Sequence, residues 1–102
     1  MSDNPYAGSK VQYQVTLIKK SDGTAVDLTS GSATMRYWYD GGSPAEDSTM
    51  DNTLDSTGVV QNSITHAQAG LFEFQFYGTD ANSDPWRSRR RSVIVEPMIT
   101  AP

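Results

Sequence analysis

The residues with the greatest chemical capacity fall into four groups. Arg87, Arg89, Arg90 and Arg91 are half of the eight cations and lie within five positions. Asp40, Glu46, Asp47, Asp51 and Asp55 form an acidic stretch with no Lys or Arg between them. Opposed charge of this kind steers association and fixes register, so it points to contact between neighbouring proteins or between copies of this chain. Asp80, Asn82 and Asp84 alternate as oxygen ligands do in a calcium loop, but Pro85 and Arg91 stand where that loop needs Gly and Glu. The spacing therefore reads as a polar loop, and no metal is expected. His66 is the one histidine and the chain has no Cys. A nucleophile–base pair would need a partner that the sequence does not supply. His66 reads as a surface or hydrogen-bonding residue in a corner beside Thr65.

Tyr37, Trp38 and Tyr39, with Trp86, are candidates for an aromatic platform. Alternation along a strand sends Tyr37 and Tyr39 to one face and Trp38 to the other, which argues for core packing or a protein contact, where Trp and Tyr are enriched. No phosphate-cradling Gly loop or paired catalytic carboxylates with a local motif appear. The expected role is non-enzymatic, without cofactor. The candidate partner-binding residues are Arg87, Arg89, Arg90, Arg91, Trp86 and Trp38.

The elements that hold these residues read as strands and turns. Val11, Tyr13, Val15 and Leu17 alternate with Gln12, Gln14 and Thr16, giving a half-buried strand that ends at the Asp22-Gly23 turn. A short return over 25–28 follows. Ala33, Met35, Tyr37 and Tyr39 share one face of a second strand over 32–39. Residues 40–44 hold two Gly and a Pro and form a loop. A weak edge strand is expected over 49–54, a further strand over 59–64, and a corner with one helical turn over 65–70. Phe72, Phe74 and Phe76 line one face of the strongest strand, 71–77. A loop over 78–85 leads to a last strand over 86–96, on which alternation puts Arg87, Arg89 and Arg91 on one solvent-facing side. The predicted core is Val15, Leu17, Phe72, Phe74, Phe76, Val93 and Val95.

These elements predict an all-β chain, an immunoglobulin-like antiparallel β-sandwich of six to eight strands. The expected organisation is an N-terminal arm over 1–9, the sandwich over 10–96 and a tail over 97–102. At 102 residues and a net charge of −4 the chain suits one acidic domain. No apolar run approaches the ~18 residues of a membrane span, and the first residues lack the pattern of a signal peptide. An acidic balance disfavours nucleic acid as a partner. No membrane partner is expected.

Asp22-Gly23-Thr24-Ala25-Val26-Asp27-Leu28-Thr29, the strand from Ala33 to Trp38, Thr57-Gly58-Val59-Val60, Ala69-Gly70-Leu71-Phe72-Glu73-Phe74 and Val93-Ile94-Val95 follow one another in an order that resembles the N-terminal domain of the baseplate upper protein family of tailed bacteriophages. That family has Pro where this chain has Ala25, and its longer members continue into further domains. The resemblance implies a virion building block that binds neighbouring virion proteins and copies of itself, as a capsid cement or decoration protein or as a tail, neck or baseplate adaptor. A carbohydrate-binding module for host or surface glycans is the alternative.

Overall fold

The computed structural model describes residues 4–97; the tail residues 98–102 and the first three of the arm lie outside the described residues. Seven strands follow in order: β1 (Lys10–Thr16), β2 (Ser32–Tyr39), β3 (Ala45–Asp47), β4 (Val59–Thr65), β5 (Gly70–Thr79), β6 (Pro85–Arg87) and β7 (Arg91–Val95). The described chain is all-β without a helix, and every pairing between these strands is antiparallel.

Two sheets result. One holds β1 and β4; the other runs β3-β2-β5, with β6 and β7 in succession along the far side of β5. Their inner faces share one core. Val15 of β1 and Val60 and Ile64 of β4 meet Met35 of β2 and Phe72, Phe74 and Phe76 of β5. The alternation read from the sequence accounts for this. Phe72, Phe74, Phe76, Val15 and Val95 are buried, and Leu17 and Val93 pack against them half-buried. Leu28, from the short return, is fully buried.

Three elements differ from the sequence reading. No strand forms over 49–54; the edge strand is β3, pairing Ala45, Glu46 and Asp47 with β2. Residues 51 and 52 instead run beside β4, where Asn52 imitates a strand with its side chain. Its Oδ1 accepts from Gln61 N–H (2.8 Å) and its Nδ2 donates to Val59 C=O (2.8 Å). The corner over 66–69 contains no helical turn.

The third difference is the break in the last strand. Arg87 lies opposite Tyr77 but Arg91 lies opposite Phe74, so the register shifts by one residue between them. Ser88 fills the junction: its N–H donates to Phe76 C=O (2.8 Å) and its Oγ accepts from Phe76 N–H (3.0 Å). This is a bulge, one extra residue that bends the strand and reverses which side chains face inward. Arg87 therefore shares the outer face with Tyr77, and Arg91 shares the inner side with Phe74. The single-face alternation expected for Arg87, Arg89 and Arg91 does not hold across the bulge.

Candidate protein-binding surface

The bulge spreads the arginine cluster over two sides of one edge. Arg90 turns onto the outer face of the large sheet, where its guanidinium carbon lies 4.8 Å from the centre of the Trp38 ring. Trp38 itself is half-buried and donates its indole N–H to Glu73 Oε1 (3.2 Å), its register partner on β5. Arg over an indole face is a cation–π contact, and it covers the ring that a sugar would need. Tyr37 and Tyr39 point the other way and pack on Phe72 at 5.8 and 5.1 Å between ring centres. No continuous aromatic platform exists among these three rings.

Arg87, Arg89 and Arg91 come together differently. All three are exposed, and all three line a cleft of about 530 Å³ with Val15, Leu17 and Ile18. Ile18 is 58% exposed although apolar. The cleft lies between the end of β1 and the β6–β7 bulge, so it joins one side of each sheet. Among the described residues no arginine makes an ion pair.

The acids expected as partners are engaged elsewhere on this chain. Asp40 Oδ1 accepts from Leu71 N–H (2.9 Å). Glu46 Oε2 accepts from Tyr77 O–H (2.6 Å). Asp47 accepts from Thr49 N–H and from buried Asn62. Asp51 accepts from Gln12 and Ser63, and Asp55 from Thr57 N–H and hydroxyl. Hydroxyl and amide donors favour the ionised carboxylate, so the Asp51 and Asp55 carboxyls are held below the usual range. The same arrangement holds Asp22 against Thr24 and Asp27 against Thr29. Asp-x-Thr occurs five times in the sequence. At Asp22, Asp27, Asp47 and Asp55 the repeat marks a turn in which the Asp side chain accepts from the Thr N–H two residues on, and of the acidic stretch it assigns Asp47 and Asp55 to such turns.

Trp86 packs against the core opposite Gly78 on β5, and its indole N–H is buried with no hydrogen-bond partner. Asp80 Oδ1 accepts from the N–H groups of Asn82 (2.8 Å) and Asp84 (3.0 Å), the geometry of a polar turn. Among the described residues no three His, Asp or Glu side chains converge as metal ligands do.

His66 is not a surface residue. It is 1% exposed, and its two ring nitrogens hydrogen-bond with Tyr13 Oη (2.6 Å at Nε2) and Tyr39 Oη (2.8 Å at Nδ1). Its backbone bonds to Gly8 and Ser9, tying the arm to the end of β4. A buried imidazole held by two tyrosine hydroxyls braces the corner between β4 and β5. Sequence reasoning missed its burial because His66 falls in a corner where no period assigns a face.

The fold and this surface define an all-β domain of two antiparallel sheets with a cationic cleft at one open side. No family model, curated protein or solved structure matches the chain.

Proposed function

We propose that the chain is a non-enzymatic structural protein of a tailed-bacteriophage virion: an immunoglobulin-like sandwich that binds neighbouring virion proteins in many copies, as a capsid decoration protein or a tail or baseplate adaptor. The observation that carries the reading is the arginine cleft. Three exposed guanidinium groups without an acidic partner on the described chain stand beside an exposed isoleucine, at the side where both sheets end. Arginine is suited to such contacts because its planar fork binds carboxylates bidentately and sheds water more readily than lysine. The order of turns and strands that resembles the baseplate upper protein family supplies the virion context. Strand pairings β1-β4 and β2-β5 support the sandwich assignment, because they join elements by the long crossings found in Greek-key sandwiches. Glycan binding has less support, since Arg90 covers Trp38 and the neighbouring tyrosines face the core.

The test is reassembly. Purified chain mixed with phage particles that lack it should bind saturably, at repeated positions visible in averaged images. Particles that take up none of it contradict the reading.

A further inference from the structure

The small sheet is closed on one side and open on the other. Beside β4, the Asn52 side chain occupies Gln61 N–H and Val59 C=O, and Asp51 N–H donates to Gln61 C=O (2.8 Å). Strand edges left unpaired template the addition of another strand, and this capping blocks it. β1 has no such cover. It pairs with β4 alone among the described residues.

The ladder fixes which groups are open. Leu17 N–H donates to Gly58 C=O (2.8 Å), so Val15 and Tyr13, at the same parity, direct their backbone groups toward β4. Alternation then turns the N–H and C=O of Gln12, Gln14 and Thr16 outward. The arm covers only the far end of the neighbouring β7 edge, where Glu96 N–H donates to Pro5 C=O and Ala7 N–H to Glu96 C=O, both at 2.8 Å. The open edge leads directly to the cleft, where Arg87, Arg89 and Arg91 stand across from Val15, Leu17 and Ile18. From Gln12 to Thr16 the edge spans about 14 Å, at ~3.4 Å per residue.

We infer that this edge of β1 accepts an extended, acidic segment of a neighbouring protein as an added strand, with its backbone on Gln12, Gln14 and Thr16 and its carboxylates on Arg87, Arg89 and Arg91. The inference rests on the neighbour-binding role above and names the chemistry of the neighbour. Charge selects the occupant, because three arginines unpaired among the described residues face the path that such a strand would take. Strand addition divides the work in a recognisable way: main-chain bonds give affinity and alternate side chains give selectivity.

The probe is a blocked peptide of alternating Glu and Thr, added to the purified chain. Amide exchange should slow at Gln12, Gln14 and Thr16 and stay unchanged along β3. Arg89→Glu/Arg91→Glu, whose sites are exposed, should keep the thermal midpoint and weaken binding by roughly tenfold or more, about 1.4 kcal/mol per tenfold. Arg89→Lys/Arg91→Lys should bind at an intermediate level. A peptide of equal charge with alternate amides N-methylated should lose both protection and affinity. Equal binding of the methylated peptide, or no protection by the parent, overturns the inference. Tighter binding of single-stranded oligothymidylate assigns the cleft to nucleic acid, and dimerisation that protects the same amides assigns it to a second copy; each of these also overturns it. A positive peptide result with failed reassembly on particles leaves the edge standing and removes the virion role.

Discussion

Tyr13 Oη and His66 Nε2 lie 2.6 Å apart on the inner side of the small sheet, β1 contributing the phenol and the β4–β5 corner the imidazole. The ring stands edge-on to Phe72 at 4.6 Å between centres, and Tyr39 takes its other nitrogen. A neutral imidazole donates from one nitrogen and accepts at the other, so one tyrosine donates to the ring and the other accepts from it. Burial lowers the His66 pKa and raises that of Tyr13 to about 12.

This arrangement predicts a pH dependence. The folded-state pKa of His66 lies below its unfolded value of about 6.5, so the unfolded chain takes up a proton first. Stability from this residue is fully present above that value and declines as pH falls from it toward the folded pKa. The thermal midpoint should therefore drop between neutral and mildly acidic pH. His66→Phe should be flat over that interval, at a cost of ~1–3 kcal/mol for each tyrosine hydroxyl left buried and unpaired. A variant that retains the slope removes His66 as its source.

A second, more acidic loss belongs to the turns. Asp22, Asp27, Asp51 and Asp55 all have lowered pKa values, chiefly from hydroxyl donors. Their contribution is present above the unfolded carboxyl value, about 3.9, and is lost as pH falls through the folded values. Replacing Thr24, Thr29, Ser63 and Thr57 together by Ala should shrink this acid-limb loss while leaving the His66 limb unchanged, read from midpoints at successive pH values.

Phe74 is 3% exposed and meets Tyr13 at 4.6 Å and Phe72 at 5.7 Å between ring centres. Phe74→Ala should cost ~3–5 kcal/mol, a large part of the stability of a small domain. Urea titration measures it. A midpoint close to that of the parent contradicts the packing described.

Asn52→Ala should open the closed side of the small sheet. It removes the acceptor for Gln61 N–H and the donor to Val59 C=O. The expected loss is ~1–3 kcal/mol, from partly buried backbone groups left unmet, with faster aggregation seen by light scattering because a second edge is now free.

Gly70→Ala tests a tight crossing. Gly70 has φ of 124°, and a Cβ there would strike the Asp40 carboxylate that accepts from Leu71 N–H. Left-handed backbone and steric collision act together, so the variant should lose stability by more than ~1 kcal/mol. Asp40→Gly in the same chain should recover part of the loss in the same denaturation assay.

The period-two runs made β1, β2, β4 and β5 legible in the sequence, because each buries one face and every second residue must then be apolar. β3 was not legible: Ala45-Glu46-Asp47 has no apolar alternation, and its pairing follows from the adjoining loop and from β2. The bulge at Ser88 was hidden too, since nothing in Trp86-Arg87-Ser88-Arg89 distinguishes a ladder from an inserted residue. That miss carried the arginines to the wrong faces, although their exposure was readable from charge. The acidic stretch was legible only in part. Composition showed five acids without bases, while the Asp-x-Thr spacing that assigns Asp47 and Asp55 to turns lay in the same residues.

The proposed virion role stands or falls with the arginine cleft as an assembly contact. The most direct measurement is the occupancy of Arg89→Glu/Arg91→Glu on purified particles at physiological salt, beside the thermal midpoint of the isolated variant. Single exposed pairs contribute only ~0–1 kcal/mol, so a large effect requires contacts that are desolvated or repeated over many copies. The variant should keep its midpoint and be almost wholly lost from particles. Normal occupancy with an unchanged midpoint would contradict it and leave the arginines as solvated surface.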